Sequence, residues 1–190
     1  MHIDHSADET YNNMAIGIDM PLSSEYENCH FINCNFSDRL LSETKFIDCT
    51  FDNCNFSLAK VKDTSFQAVK FKDCKMLGVH FSDCNAFLLE MAFNQCDLSL
   101  TSFYRLKLKN TDFKNCNLKE ADFSEADMSG STFKDCRLTD AVFDNTVLEK
   151  CDFRTAVNYI INPDKNHIRK ARFSREGLEG LLLHHDIVIE

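Results

Sequence analysis

The chain has 190 residues, enough to bury a core as one domain, and its 44% hydrophobic and 27% charged residues exclude a disordered chain. The formal net charge of −9 argues against nucleic acid or an anionic membrane as a direct partner, and no apolar run approaches the roughly 18 residues of a membrane helix. Phe is abundant at 17 while Gly and Pro number only 5 and 2, so the chain is either mostly helical or turns its corners without the usual breakers.

Residues 1–23 form an N-terminal segment. Met1 to Met20 carries Asp4, Asp8, Glu9 and Asp19 with no Lys or Arg, the wrong charge for a secretory leader, and a cytoplasmic location is the expectation. Met14, Ile16, Ile18 and Met20 alternate like a short strand, and Tyr11 and Ile16 weakly keep the spacing that follows, which reads as a cap.

From residue 24 to 157 the chain repeats every five residues. One register places large residues at Tyr26, Phe31, Phe36, Leu41, Phe46, Phe51, Phe56, Val61, Phe66, Phe71, Met76 and Phe81. Seven residues later, not five, a second register starts at Leu88. It runs Phe93, Leu98, Phe103, Leu108, Phe113, Leu118, Phe123, Met128, Phe133, Leu138, Phe143, Leu148 and Phe153. Between them the slip falls in 82–87, within Ser82, Asp83, Cys84 and Asn85, as a kink that either carries function or is a tolerated bulge. A small residue stands two places before most centres, and polar residues mostly fill the remaining places. A period of five fits neither an amphipathic helix nor an alternating strand; it predicts a short straight face followed by a corner, every centre pointing to one axis.

Residues 158–190 close the chain. Asn162-Pro163-Asp164 interrupts the repeat, and Ile168 and Phe173 return to the second register, so a further partial coil is expected. Ser174 is a candidate N-cap for a short helix over 175–184, with Leu178, Leu181 and Leu182 on one face and Gly177 and Gly180 weakening it. Ile187-Val188-Ile189 reads as a terminal strand.

This repeat resembles the pentapeptide-repeat family. The resemblance implies an all-β fold, a right-handed quadrilateral β-helix with four pentapeptides per coil and a short C-terminal helix and strand. The repeat would then span roughly 30 Å at about 4.8 Å per stacked strand. Phe at every other centre after Leu88 supports four faces, because Phe would line one opposite pair and Leu or Met the other. The tail Gly-Leu-Leu-Leu-His-His-Asp-Ile-Val-Ile is similar to that of the Qnr, MfpA and McbG type within the family. That implies either a plain cap or a cap that also joins two copies through Leu178, Leu181, Leu182, Leu183, Ile187, Val188 and Ile189.

The ten cysteines follow the repeat. Cys29, Cys34, Cys49, Cys54, Cys74, Cys96, Cys116, Cys136 and Cys151 stand two places before a centre, and Cys84 where the first register would next place its small residue. They are small buried fillers, in a stacking poorly suited to disulfides. No Cys-x-x-Cys occurs, and the seven histidines show no clustering that suggests catalysis. No metal, no cofactor and no catalytic residue is expected; Gly-rich phosphate loops and nucleophile elbows are absent.

Charge is uneven: residues 1–100 hold 15 acids and 7 bases, residues 101–190 hold 15 and 14. Asp38, Glu43, Asp48, Asp52, Asp63, Asp73 and Asp83 form the candidate acidic binding surface, with Glu43, Asp63 and Asp83 as one column. Lys114, Lys134 and Arg154 form a basic column in the other half. The Qnr- and MfpA-type resemblance implies a DNA mimic that binds DNA gyrase or topoisomerase IV and modulates it or protects it from quinolones or toxins. The chain departs from some Qnr solenoids in lacking long loops. The alternative is a general protein-interaction scaffold.

Overall fold

A computed structural model describes residues 5–15, 23–185 and 187–188. Eleven short strands are named: β1 His5–Ala7, β2 Thr10–Asn12, β3 Glu25–Glu27, β4 His30–Ile32, β5 Lys45–Ile47, β6 Thr50–Asp52, β7 Ser65–Gln67, β8 Val69–Lys72, β9 Met91–Asn94, β10 Asp112–Lys114 and β11 Thr132–Lys134. All pair in parallel, β1-β3-β5-β7 in one sheet and β2-β4-β6-β8-β9-β10-β11 in another. Isolated bridges continue both sheets and mark two further faces, such as Asn35–Asn55–Lys75–Asp97 and His80–Ser102–Asp122. The result is the right-handed quadrilateral β-helix. Its first coil begins at His5, upstream of the expected boundary at 24, because β1 and β2 pair with β3 and β4.

Each pentapeptide does the same work. Two residues point inward, a small one and, two places on, the large centre. One residue two places past the centre turns the corner, and it takes a left-handed backbone conformation: 26 non-glycine residues have φ between 49° and 64°, and Gly78 and Gly130 have φ of 66° and 77°. Fifteen of the 26 are Asp or Asn, the residues that tolerate this region best after Gly. That is how a chain with five glycines turns a corner every five residues. Many corners are closed by the centre's carbonyl accepting from the N–H three residues on, as in Arg39 to Phe36 at 3.2 Å and Ala121 to Leu118 at 3.1 Å. With positive φ at the third position, these are turns of type II character.

The centres form stacks down the axis. Face 1 carries Tyr26, Phe46 and Phe66, face 2 Phe31, Phe51 and Phe71, face 3 Phe36, Phe56 and Met76, face 4 Leu41, Val61 and Phe81, all buried. On face 2 nine aromatic rings stack without interruption: Tyr11, Phe31, Phe51, Phe71, Phe93, Phe113, Phe133, Phe153 and Phe173, with centroids 4.6–5.3 Å apart. Rings on opposite faces meet edge-on, as Phe113 on face 2 does with Phe123 on face 4 at 6.1 Å and 90°. Both geometries are favoured by the ring quadrupole.

The slip lies elsewhere than expected. Asn85 still bridges Ser65, and Leu88 takes the corner conformation (φ 55°), so the first register runs through Leu88. Leu88 is therefore a corner, 63% exposed, not an inward centre. The two extra residues are Leu89 and Glu90, and Met91 then pairs with Val69. Ser82 and Asp83 belong to a 3-10 turn, Phe81–Asp83, that precedes the insertion; Cys84 is buried and Asn85 exposed.

At the C-terminus the expected helix over 175–184 is instead two 3-10 turns, Leu178–Leu181 and Leu183–His185. Gly180 sits against Tyr159, whose carbonyl leaves no room for a Cβ. A longer regular helix would compete with that seat and with two glycines of poor helix propensity. Ile187 and Val188 are not in a strand, and Ile189, like Ile16, Ile18 and Met20 of the N-terminal alternation, lies outside the described residues.

Phe113 touches both stacked neighbours and two edge-on rings. Phe113→Ala should therefore cost about 3–5 kcal/mol in denaturant unfolding, and Phe123→Asp should abolish soluble expression; a folded Phe123→Asp protein would contradict the core described.

Candidate functional site

The outward side chains fall on four flat faces and four edges. Five of the seven candidate acids, Asp38, Glu43, Asp48, Asp63 and Asp73, stand at left-handed corners. Asp52 lies in β6, and Asp83 ends the 3-10 turn before the slip. Glu43, Asp63 and Asp83 share the edge between faces 4 and 1, one per coil, with the Asp63 N–H donating to the Asp83 carbonyl at 2.9 Å. Asp38 and Asp48 occupy two other edges, so the acids surround the N-terminal half rather than forming one stripe.

Pairing separates them into two groups. Lys72 lies 3.4 Å from Asp52 and 3.6 Å from Asp73 and cancels one of their two charges. Asp38, Glu43, Asp48, Asp63 and Asp83 make no ion pair among the described residues. Further along the Glu43 edge the pattern changes: Arg105 holds Glu125 at 2.7 Å and Tyr104 donates to the same carboxylate at 3.1 Å. The Arg105 guanidinium keeps the Glu125 carboxyl below its ordinary range. Lys114 and Lys134 align on face 2 and make no ion pair among the described residues, while Arg154 is bound to Asp152 at 2.6 Å.

Corner geometry explains the residue type but not the charge. Asn serves as well as Asp, and Asn13, Asn28, Asn33 and Asn53 do so beside them. From Asp8 to Gly78 the corners hold six acids and no base; from Leu88 to Lys170 they hold four acids and three bases.

Several surface residues escaped the sequence reading. Phe87 (69% exposed), Leu88, Leu40, Leu58 and Leu100 point outward. Phe87 had a signal: it fits neither five-residue register. On face 2 a shallow depression lies beside the small Ala92, lined by Lys70, Lys72, Asn94, Asp112 and Lys114. At the C-terminal end Leu178, Leu182, Leu183, Ile187 and Val188 are exposed and Leu181 is half-buried.

The cysteines sit inside. All ten are buried and free. Cys34, Cys54, Cys74, Cys96, Cys116 and Cys136 form one continuous column on face 3 that crosses the slip, where the spacing is longer by two. Each of Cys34, Cys54, Cys74, Cys96 and Cys116 donates to a carbonyl of the preceding coil at 3.4–3.6 Å. Thr64, Ser131 and Thr146 do the same from other faces at 2.7–2.9 Å. The slot therefore prefers a small donor. Where Ala fills it, at Ala59, Ala121, Ala126, Ala141 and Ala156, the corner before it is closed by the backbone. At open corners the amide needs a side-chain partner, as Cys34 N–H finds Cys54 Sγ at 3.4 Å and Thr111 N–H finds Ser131 Oγ at 3.0 Å.

Burial raises the Cys49, Cys84 and Cys151 thiols to about 12. Their protonated form is what the fold accommodates, so their contribution to stability is complete below the ordinary value of 9.0 and is lost as pH rises through about 12. The native protein should be inert to a thiol reagent at pH 8 and release ten thiols in denaturant, with its unfolding midpoint falling from about pH 9 upward. Prompt native reaction would contradict the buried placement.

No helix of the described residues is long and apolar enough to cross a membrane. The structure can be compared with solved ones. A trypsin-treated QnrB1 variant, described as a plasmid-mediated fluoroquinolone resistance protein, superposes with a TM-score of 0.61 at 15% identity, over 98% of this chain and 100% of that one. Full-length QnrB1 gives 0.55 at 18%, over 96% and 100%. At these identities the likeness shows the fold alone. No curated protein matches the sequence. The family description "Pentapeptide repeat region" matches residues 24–87 and 86–159, two segments that overlap just before the insertion of Leu89 and Glu90. The chain belongs to the pentapeptide-repeat family.

Proposed function

We propose that this protein is a non-enzymatic binding rod whose N-terminal half presents a negative surface to a basic groove, and that its partner is DNA gyrase or topoisomerase IV. The observation that carries the reading is the set of four unpaired acids, Asp38, Glu43, Asp48 and Asp63, at left-handed corners where Asn would serve the fold equally well, with unpaired Asp83 on the same edge as Glu43 and Asp63. Glu43, Asp63 and Asp83, stacked at about 4.8 Å per coil along one edge and flanked by Asp38 and Asp48 on two others, offer a basic cleft a dense negative surface. The fold shared with QnrB1, a fluoroquinolone resistance protein, is consistent with modulation of the enzyme or its protection from quinolones or toxins. Nothing in the rod holds a cofactor in this reading.

A second reading, a general interaction scaffold, is favoured by the outward apolar residues Leu40, Phe87 and Leu88. The two readings differ in what weakens binding: an acidic rod responds to salt and an apolar patch does not. In a gyrase supercoiling assay, wild type should alter activity. The combined variant D38N/E43Q/D48N/D63N/D83N should keep its melting temperature and lose most of that effect. No effect of wild type at large molar excess would sink the topoisomerase reading; loss on Phe87→Ser with the acids intact would favour the scaffold.

The C-terminal cap is proposed as the homodimer contact. Val188 is 87% exposed beside Leu182, Leu183 and Ile187, apolar surface that a second copy would cover. Sedimentation at micromolar concentration should give a dimer and L182D/L183D a monomer; a wild-type monomer would overturn it.

A further inference from the structure

Asp164, His184 and His185 meet at the C-terminal end, a cluster the sequence reading did not expect. Asp164 stands in the turn after Pro163, its N–H donating to the Asn162 side-chain oxygen at 2.8 Å. The two histidines end the last 3-10 turn, where the His185 N–H donates to the Leu182 carbonyl at 2.9 Å. A ligand atom from each of the three lies within 4.8 Å of the others. The imidazole centroids are 3.8 Å apart with planes at 41°. Both ring nitrogens of His184 are shielded from solvent and find no hydrogen-bond partner among the described residues. An imidazole carries two polar nitrogens, and leaving both unmet costs their desolvation.

We propose that these three residues bind a divalent transition-metal ion. A bond from metal to imidazole nitrogen would satisfy one orphan of His184. Two nitrogens and one carboxylate oxygen suit Zn²⁺, Ni²⁺ or Cu²⁺ rather than Ca²⁺ or Mg²⁺, which take oxygen ligands. Three protein ligands leave a coordination position for water. The ion would tie the last turn of the chain to the corner after Pro163, and so fix the segment that carries Leu182 and Leu183.

The other groups of ligating side chains are already satisfied. His5 lies 3.4 Å from Glu25 and 3.8 Å from Glu27, and Lys45 pairs with Glu25 at 3.2 Å. The column thiols are buried and donate to carbonyls.

Titration calorimetry of the metal-free full chain with ZnCl₂ should show one equivalent bound. D164A and H184A/H185A should each weaken binding by at least the roughly 100-fold that even outer-shell partners can be worth. H5A should bind as wild type. None of the three residues belongs to the buried core, so these variants should melt with wild type when metal is absent; Zn²⁺ should raise the melting temperature of wild type alone. With Co²⁺ as probe, absorption should show ligand-field bands of a nitrogen and oxygen site without a thiolate charge-transfer band. No binding up to about 1 mM Zn²⁺, equal binding by H184A/H185A, or a thiolate band would each overturn the assignment.

Discussion

Everything in this structure depends on turning the backbone through a corner every five residues. At 26 corners an L-residue stands in the left-handed region, at a cost of roughly 1–2 kcal/mol each. A buried Phe stabilises by about 1.5–3 kcal/mol, so a large inward centre is of the size needed to offset one corner. The two requirements fix the pentapeptide: a large residue that reaches the axis, a small one that leaves room for it, and a turn residue that tolerates positive φ. Asp and Asn supply the third at Asp38, Asn53 and Asn115 without glycine. The parallel ladder then aligns equivalent places of successive coils, which is why rings, thiols and corners each run in columns.

Because the fold constrains only the inward pair and the corner's conformation, the outward charges are free to vary. The corners themselves demonstrate it: Leu58, Arg105, Lys150 and Lys170 hold the same backbone conformation as Asp63. An excess of acids at the corners of one half is thus not required by folding. The Arg105–Glu125 pair, on the same edge as Glu43 and Asp63, shows the charge being cancelled in the other half. This contrast gives the binding proposal its physical content. It also explains why acid content alone is a poor guide, since Asp52 and Asp73 share Lys72 and offer a partner less.

The repeat, the four faces and the burial of the thiols were legible because a strict period repeats each signal many times. What was hidden is what happens once. Leu88 fits the second register by count, yet its place is set by the ladder, since Asn85 still bridges Ser65. The first coil was obscured because its only large centre with a clear signal is Tyr11. The C-terminal helix pattern of Leu178, Leu181 and Leu182 was real, but Tyr159 occupies the space against Gly177 and Gly180 and leaves only 3-10 turns. For the site, the acids were found and their corner role was not: a positive φ is a backbone property that Asp announces only weakly. The meeting of Asp164 with His184 and His185 depends on how the tail folds back, which no local pattern encodes.

The slip bears on how the two halves act together. The insertion of Leu89 and Glu90 falls at one corner, while the ring stack of face 2 passes it from Phe71 to Phe93 at 5.3 Å and the thiol column passes it from Cys74 to Cys96. A hinge would break at least one of these columns, so the insertion is absorbed at that corner, next to the exposed Phe87 and Leu88. The acidic half and the near-neutral half are consequently one rod with a fixed polarity. A partner that reads charge meets that rod from one end. If two copies join through their C-terminal caps, the acidic halves lie at the outer ends of the pair, and a two-fold symmetric target with separated basic surfaces would be matched by the symmetry of the assembly as well as by its charge.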